Sequence, residues 1–351
     1  MENQNPYRPK IASIPEGVTR PLWSVMIPTY NCANYLRETL TSVLAQDPGS
    51  DLMQIEVIDD HSMQDNPAAV VEELGRGRVE FYQQPQNVGY IRNFETCLLR
   101  SRGQLIHLLH GDDCVLDGFY RKMQQLFEEY PEIGAAFCRH IIMDEHGHWK
   151  WFSSLEQPQS GVLENWLERI ASELPLQTPS MVVRREVYEK LGSFDSRMLS
   201  CGEDWEMWCR IAADYQTGYE PQPLALYRDR SNSLTKGSVR TGQNIRDVRQ
   251  ATEIIQLYLP ETVAPKITQK ARISWALWAI SFAERMIAQD DLTAALIQIR
   301  EALICSRSLE VVKLATFLML RISKRWLMQV LRSISSRAEK KGVRCQDANS
   351  V

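Results

Sequence analysis

The stretch WSVMIPTYNCANYLRETLTSVLAQDPGSDLMQIEVIDD, residues 23–60, holds the pattern that sets the fold. An apolar run, Trp23 to Ile27, ends in a polar break from Pro28 to Asn31. Leu36, Leu40, Val43 and Leu44 then recur at helical spacing, Asp47-Pro48-Gly49 stops the helix, and a second apolar run leads from Ile55 to Asp59. Short apolar runs separated by an amphipathic helix indicate parallel strands joined by a crossover, since a strand covered on both faces has no polar side. Asn31 and Asn34 are expected to cap that helix. Working outward, strands are expected at Val79 to Tyr82, Leu105 to Leu109 and Ala135 to Cys138. Crossover helices are expected from about Asn93 to Arg100 and from Asp117 to Tyr130, the second ended by Pro131. After residue 140 come a Trp-rich stretch, helices around Arg184 to Leu191 and Asp204 to Ala213, and a strand-like Leu224 to Tyr227. From Gln243 to Arg337 only helices are expected, with breaks at Pro260, at Pro265 and near Asp290-Asp291. Within that region, Trp275 to Ala283 and the following Ala294 to Leu296 read as one helix pair of the helical-repeat kind.

Composition narrows the function classes. The chain has 351 residues, 24% charged and 44% hydrophobic, with Lys plus Arg 40 against Asp plus Glu 44, a formal charge of −4. That balance argues against binding nucleic acid with the whole protein. Met1 to Lys10 is polar, and no apolar run approaches the roughly 18 to 20 residues that span a bilayer, so a signal peptide and integral membrane insertion are both disfavoured. The eight cysteines form no C-x-x-C pair, which points to reduced, mostly buried thiols in a cytosolic protein. His107/His110 and His146/His148 lack acidic or thiolate partners at helical spacing and are expected to serve strand-end packing and a turn.

An open parallel sheet binds its ligand at the carboxyl ends of its strands. Here those ends carry Pro28-Thr29-Tyr30-Asn31, Asp59-Asp60-His61-Ser62 and His110-Gly111-Asp112-Asp113. Each could be a turn by itself, but three polar clusters in register on one edge suggest a site. Adjacent Asp112 and Asp113 point to opposite sides of an extended strand end and can do different jobs. Read as oxygen ligands, they suit Mg²⁺ or Mn²⁺ held partly by substrate phosphates, which implies a diphosphate. Asp60 could accept a hydrogen bond from a base ring and Tyr30 could offer that base a flat face, which makes the ligand a nucleotide.

Together these residues resemble a family 2 glycosyltransferase with the nucleotide-sugar-binding glycosyltransferase A fold. The matching stretches are IPTYN at 27–31, IEVIDDHS at 55–62, NVGYIRNFETCL at 87–98, LLHGDD at 108–113 and CGEDWEMWCRI at 201–211, with FDSRM at 194–198 and LYRDRSNSLT at 226–235 in support. The resemblance covers about residues 22–237. It implies a Rossmann-like α/β fold with a mixed, mainly parallel sheet and a C-terminal all-helical region. The expected domains are an N-terminal extension at 1–21, a catalytic domain at 22–237, a helical region at 238–306 and a basic amphipathic helix and tail at 307–351. It further implies an inverting transfer of a single sugar from a nucleoside-diphosphate sugar, UDP being the first expectation, to a hydroxyl on a glycan or lipid-linked acceptor. Carried over by position, Pro28, Thr29, Tyr30, Asn31, Asp60, Asn87, Asn93 and Asp112 would contact the nucleotide sugar. Asp113 would hold the metal, Asp204 would be the catalytic base, and Glu203 and Trp205 would face the acceptor. Acidic residues at 203–204 equally suit a helix N-terminus, and both readings can hold.

Where many relatives have a histidine two residues after Tyr227-Arg228, this chain has Asp229-Arg230; Arg230 could contact the diphosphate or be a solvated loop residue. Arg92 has the same open choice. Ser306 to Val351 holds ten Lys or Arg against three Asp or Glu, a net of +7. Trp326, Leu327, Val330 and Leu331 there lie among Arg321, Lys324, Arg325 and Arg332. That face suits either an anionic membrane surface or packing on the other C-terminal helices. The expected location is cytoplasmic, with peripheral attachment to the inner membrane face as a candidate. The competing classes are a catalytically silent sugar-nucleotide-binding relative, disfavoured by the presence of Asp113 and Asp204, and a nucleotidyltransferase, disfavoured by the absence of a Gly-rich loop after the first strand.

Overall fold

A computed structural model describes the backbone of residues 5–15, 17–231 and 233–347, and side chains through residue 328 apart from position 235. It divides into two units, Met1–Leu234 with Gln250–Ala271, and Thr235–Arg249 with Arg272–Val351.

The first unit is built on β1 (Trp23–Thr29), α1 (Ala33–Leu44), β2 (Met53–Asp59), α2 (Pro67–Gly75), β3 (Glu80–Gln83), α3 (Tyr90–Arg100) and β4 (Leu105–Leu108). These four strands run parallel in the order β3-β2-β1-β4. All seven residues of β1 and of β2 are buried, which explains their unbroken apolar reading. Leu36, Leu40 and Val43 of α1 pack with Val25, Ile27, Ile55 and Val57 in one core cluster; each such side chain contributes about 1.5–3 kcal/mol by leaving water. The α1 N-terminus is not capped by Asn31 or Asn34. Its Ala33 N–H donates to Asp65 Oδ2 at 2.7 Å, a partner supplied from beyond β2.

The chain continues through β5 (Cys114–Val115), α4 (Phe119–Glu129), β6 (Ile133–Asp144), β7 (Trp149–Phe152), β8 (Gly161–Val162), α5 (Trp166–Ser172), β9 (Met181–Arg184), α6 (Arg185–Leu191), α7 (Glu203–Asp214) and β10 (Gln216–Asp229). The sheet extends as β4-β9-β6-β10-β5, with β9 antiparallel to both neighbours, β10 parallel to β6 and β5 antiparallel to β10. It is a mixed, mostly parallel sheet, as the sequence resemblance implies. β6 and β10 are longer than their apolar centres, and β10 absorbs register shifts around Glu220 to Ala225. β7 pairs with β6 alone among the described residues, with a bulge between the Ile142/Trp151 and Met143/Trp149 pairs.

The segment preceding β1 is bound into this unit. Ile11 is fully buried; Ser193 N–H and Ser196 N–H donate to the carbonyls of Pro9 and Tyr7 at 2.8 and 2.9 Å. Arg8 lies 2.8 Å from Asp195 and 3.0 Å from Glu206, which is on α7. This places a guanidinium beneath the helix that begins at Glu203.

The second unit is helical: α8 (Leu234–Val239), α9 (Gln243–Ile255), α10 (Ala264–Ala288), α11 (Leu292–Cys305) and α12 (Leu309–Asp347) supply it, α8, α9 and α10 only in part. Pro265 does not break a helix, because it falls in the first turn of α10 where no N–H is required. Asp291 caps α11 by accepting from Ala294 N–H, and Gln298 ties α11 to Val239 and Asn244. α12 buries Val311, Ala315, Leu318 and Ile322 along one stripe. Val312, Met319, Leu320, Trp326 and Leu327 remain exposed. The expected contributions of Val330, Leu331 and Arg332 lie outside the described side chains. No helix among the described residues is long and apolar enough to cross a membrane.

The expected thiol and histidine roles can be placed. Among the described residues the cysteines form no disulfide, and all but Cys201 are buried. His107 packs in the core against Phe119 and bonds Pro179 O, and the amides of His146 and His148 close a turn on Asp144 Oδ1. His110 packs just past the end of β4, its ring stacked on Phe94 with centroids 5.1 Å apart.

Candidate active site

Parallel β1, β2 and β4 bring their carboxyl ends to one edge, pinned by Asp60 N–H to Thr29 O at 2.9 Å and Gly111 N–H to Pro28 O at 3.0 Å. At this edge Pro28 and Thr29 are buried with their side chains turned inward, the Thr29 hydroxyl meeting Cys32 Sγ at 2.8 Å. Tyr30 is 46% exposed and presents its ring outward. Asn31, in the left-handed region at φ 48°, stitches the two loops: its N–H donates to Ser62 Oγ and its side-chain oxygen accepts from Met63 and Gln64.

Asp60 accepts from the amides of Val88 and Gly89, one on each carboxylate oxygen, at 2.7 and 3.0 Å; Asn87 donates to the Asp60 carbonyl. Burial pushes the Asp60 carboxyl up, against the pull of those two amides. Asn93, expected on the nucleotide side, is 2% exposed, donates to Ile58 O at 2.9 Å and accepts from Gln84, bracing β2. Arg92 is exposed.

The loop after β4 gathers the strongest constellation. His110, Asp112 and Asp113 offer ligand atoms that all lie within 4.8 Å of one another. Asp113 is 1% exposed; its Oδ1 accepts from Arg228 N–H at 2.8 Å, while Oδ2 has no hydrogen-bond partner. His110 Nδ1 is 3.7 Å from that Oδ2, and its buried Nε2 is likewise without a partner. A buried carboxylate oxygen left alone is costly, so the geometry fits a bound cation. Burial raises the Asp113 carboxyl well above the usual range, the neighbouring Asp112 charge adds to the effect, and Arg228 opposes it. His110, whose pKa burial lowers, is held neutral and can act as a ligand. The sequence reading set His110 aside as a ligand because partners were sought at helical spacing, whereas the nearby carboxylates belong to its own loop.

Gly111 makes this loop possible. A Cβ there would stand 2.7 Å from Thr29 Oγ1 and 3.2 Å from Cys32 Sγ. Arg228, its side chain fully buried, binds the Asp112 carbonyl at 2.9 Å and Glu38 at 2.6 Å. Arg230 Nε lies 2.8 Å from Asp112 Oδ2 and its guanidinium sits over the Tyr35 ring, so it is not a solvated loop residue. The Tyr227 phenol is pushed up by burial and by the surrounding charges of Asp113, Asp112, Asp229 and Asp204, so it stays neutral beside them.

Asp204 stands in the first turn of α7, half-buried, accepting from Trp205 N–H at 2.7 Å and from the Thr178 hydroxyl at 3.4 Å. Burial raises its carboxyl above the ordinary range despite those donors. Glu203 accepts from the Tyr90 hydroxyl at 3.2 Å. Trp205, expected to face the acceptor, is 0% exposed and donates to Ile170 O at 2.7 Å, in a helix whose residues 205–211 are all buried.

Comparison with known proteins bears on the family and the fold. Residues 24–192 match the sequence profile of Glycosyl transferase family 2. The uncharacterized protein MT1568 of Mycobacterium tuberculosis is 26% identical over 267 residues, 73% of this chain and 81% of that protein. The chain spans about 40% of the length of a curated relative from Mycoplasma genitalium. Among solved structures, S. aureus TarS 1-349 in complex with UDP-GlcNAc superposes with a TM-score of 0.62 at 17% identity, covering 80% of this chain and 81% of that one. The mannosyltransferase PcManGT from Pyrobaculum calidifontis, in complex with GDP-Man and Mn²⁺, gives 0.54 at 17% identity over 93% of this chain and 86% of that one.

Proposed function

Because the chain belongs to glycosyltransferase family 2 through residues 24–192, we propose that it transfers a single sugar from a nucleoside-diphosphate donor to a hydroxyl acceptor with inversion. The observation that carries the reading is the unpartnered Oδ2 of Asp113 inside the His110/Asp112/Asp113 cluster, at the carboxyl edge of the parallel strands. Asp113, with Asp112 and His110, holds a divalent cation, which when bound neutralises charge developing on the leaving diphosphate. An imidazole in the set favours Mn²⁺ over Mg²⁺. Tyr30 and Asp60 receive the base, and Asn87 keeps the Asp60 loop in place. UDP is the first base to test, with GDP second, in line with the ligands of the two structural neighbours.

Asp204 removes the acceptor proton as the new bond forms. A hydroxyl is a poor nucleophile, and a carboxylate whose pKa burial has raised is a stronger base than an ordinary one. One displacement with the base and the leaving group on opposite sides of the anomeric carbon inverts it. Glu203, held by Tyr90, faces the acceptor beside Asp204. A glycan or lipid-linked acceptor is supported by the exposed apolar side chains of α12 near Lys313, Arg321, Lys324 and Arg325, which suit peripheral attachment to the inner face of an anionic membrane. The test is a thermal-shift screen of UDP, GDP and their sugars with and without Mn²⁺. A ligand at a hundred times its Kd stabilises the folded state by about 2.7 kcal/mol. A shift needing both Mn²⁺ and a nucleoside diphosphate is expected; no shift with any of them would refute the reading.

A further inference from the structure

The metal-capable cluster already contains a cation. Arg230 Nε stands 2.8 Å from Asp112 Oδ2, with side-chain exposures of 16% and 19%. Yet that Nε has no hydrogen-bond partner, so its N–H is not aimed at the oxygen and the contact is an ion pair without a directional bond. Arg228 differs. It is fixed by hydrogen bonds to Glu38, to the Asp112 carbonyl and to the Glu145 carbonyl, and its own backbone amide holds Asp113. Both guanidiniums lie over Tyr35, at 4.8 and 5.3 Å from the ring centroid. One arginine is therefore clamped and its neighbour is held by charge and a ring face.

This asymmetry has a consequence for metal loading. A divalent ion that draws on all three side chains of the cluster takes Asp112, the carboxylate that Arg230 covers. Two cations on one carboxylate repel each other. A nucleoside diphosphate supplies the negative charge that a released guanidinium accepts in a bidentate manner. We propose that Arg230 is a charge-exchange positioning residue: it holds Asp112 while the site lacks donor, and moves to the donor's diphosphate when that arrives, freeing Asp112 for the metal ion. Metal and diphosphate then bind cooperatively, each raising the affinity of the other by the same factor. The inference rests on the donor and metal reading given above and adds a resident competitor to it.

The experiment is a Mn²⁺ titration of the full chain followed by the electron paramagnetic resonance of the free ion, with no nucleotide, with UDP and with GDP. Parent, Arg230→Gln and Arg230→Lys are compared. With Mn²⁺ alone, Arg230→Gln should bind the ion about fivefold more tightly than the parent, the scale set by losing one nearby cation. Its affinity for the diphosphate should fall about tenfold and the coupling between the two ligands should shrink, since a charge-assisted pair is lost. Arg230→Lys, which keeps the charge, should stay near the parent, whereas a merely structural role would weaken Mn²⁺ binding in both variants. Equal or weaker Mn²⁺ binding by Arg230→Gln overturns the exchange while leaving the glycosyltransferase reading intact. So does a parent that binds diphosphate as well in a chelator as in Mn²⁺. A parent that binds neither Mn²⁺ nor either diphosphate overturns both.

Discussion

Replacing Arg8 by Met should destabilise the first unit by about 2 kcal/mol at neutral pH, a figure that follows from how its partners are already served. Arg8 meets Asp195 at 2.8 Å and Glu206 at 3.0 Å, and both carboxylates are 0% exposed. Stripping the last cation from a buried pair costs about 3–5 kcal/mol. Here neither acid is stripped, since Asp195 keeps Arg197 at 2.6 Å and Glu206 keeps Arg210 at 3.0 Å. The loss reduces to one or two charge-assisted hydrogen bonds, about 1.5–3 kcal/mol each before relaxation, and the Met side chain retains the packing of the arginine stem. For a unit of this size the midpoint should fall by roughly 4–8 °C in scanning calorimetry.

The deficit should also depend on pH. Burial works to raise the Asp195 carboxyl, but hydrogen bonds from Arg197 and Arg8 prevail and hold it below the usual range. A depressed folded pKa stabilises above the unfolded value of about 4, and the benefit disappears as pH falls through the folded value. The gap between parent and Arg8→Met should therefore hold from pH 7 down to about 4 and narrow below that, as pH falls toward the folded value. A loss under about 0.5 kcal/mol at pH 7, the range of ordinary surface substitutions, would refute the reasoning, as would a gap that does not change with pH.

Asp113→Asn should abolish the Mn²⁺-dependent part of nucleoside diphosphate binding, read by calorimetric titration; unchanged affinity would assign the metal elsewhere. Asp204→Asn should leave that binding nearly intact and lower turnover by about two orders of magnitude or more. In the parent, activity should decline on acidification through a pKa above the usual carboxylate range, the sign expected of a base that must be deprotonated and that burial raises; an acid limb at the ordinary value would remove Asp204 from the role. Gly111→Ala forces a Cβ to 2.7 Å from Thr29 Oγ1, so Mn²⁺ affinity should fall and stability drop by about 1–3 kcal/mol, checked by titration and melting together. On α12, Leu320→Glu with Trp326→Glu should reduce co-sedimentation with anionic vesicles at low salt, and equal sedimentation would confine the helix to internal packing.

What could be read from the sequence tracks how evenly each element is buried. β1 and β2 are covered on both faces, so Trp23 to Ile27 and Ile55 to Asp59 announce themselves. β6 and β10 carry Arg139, Glu220 and Pro223 within their length, where bulges and partial exposure admit polar residues, so only their apolar centres were visible. The same holds for the site. The Asp112-Asp113 pair stands out as chemistry, but Asn93 and Trp205 look identical in sequence whether they face a ligand or the core. Nothing local could have revealed that Asp65, far along the chain, supplies the α1 cap.

The bulge in β7 bears on how the molecule stays apart from its copies. A strand with Trp149, Trp151 and Phe152 each more than half exposed, paired on one side only among the described residues, is the kind of edge on which another strand could build. The extra residue at Lys150 breaks the even ladder and turns Trp149 onto the same face as Phe152, their rings 6.2 Å apart and nearly perpendicular. A neighbouring chain approaching that edge meets an irregular row of donors and acceptors and a lysine paired with Asp144. The aromatic side chains thus stay exposed while sheet growth past β7 is discouraged.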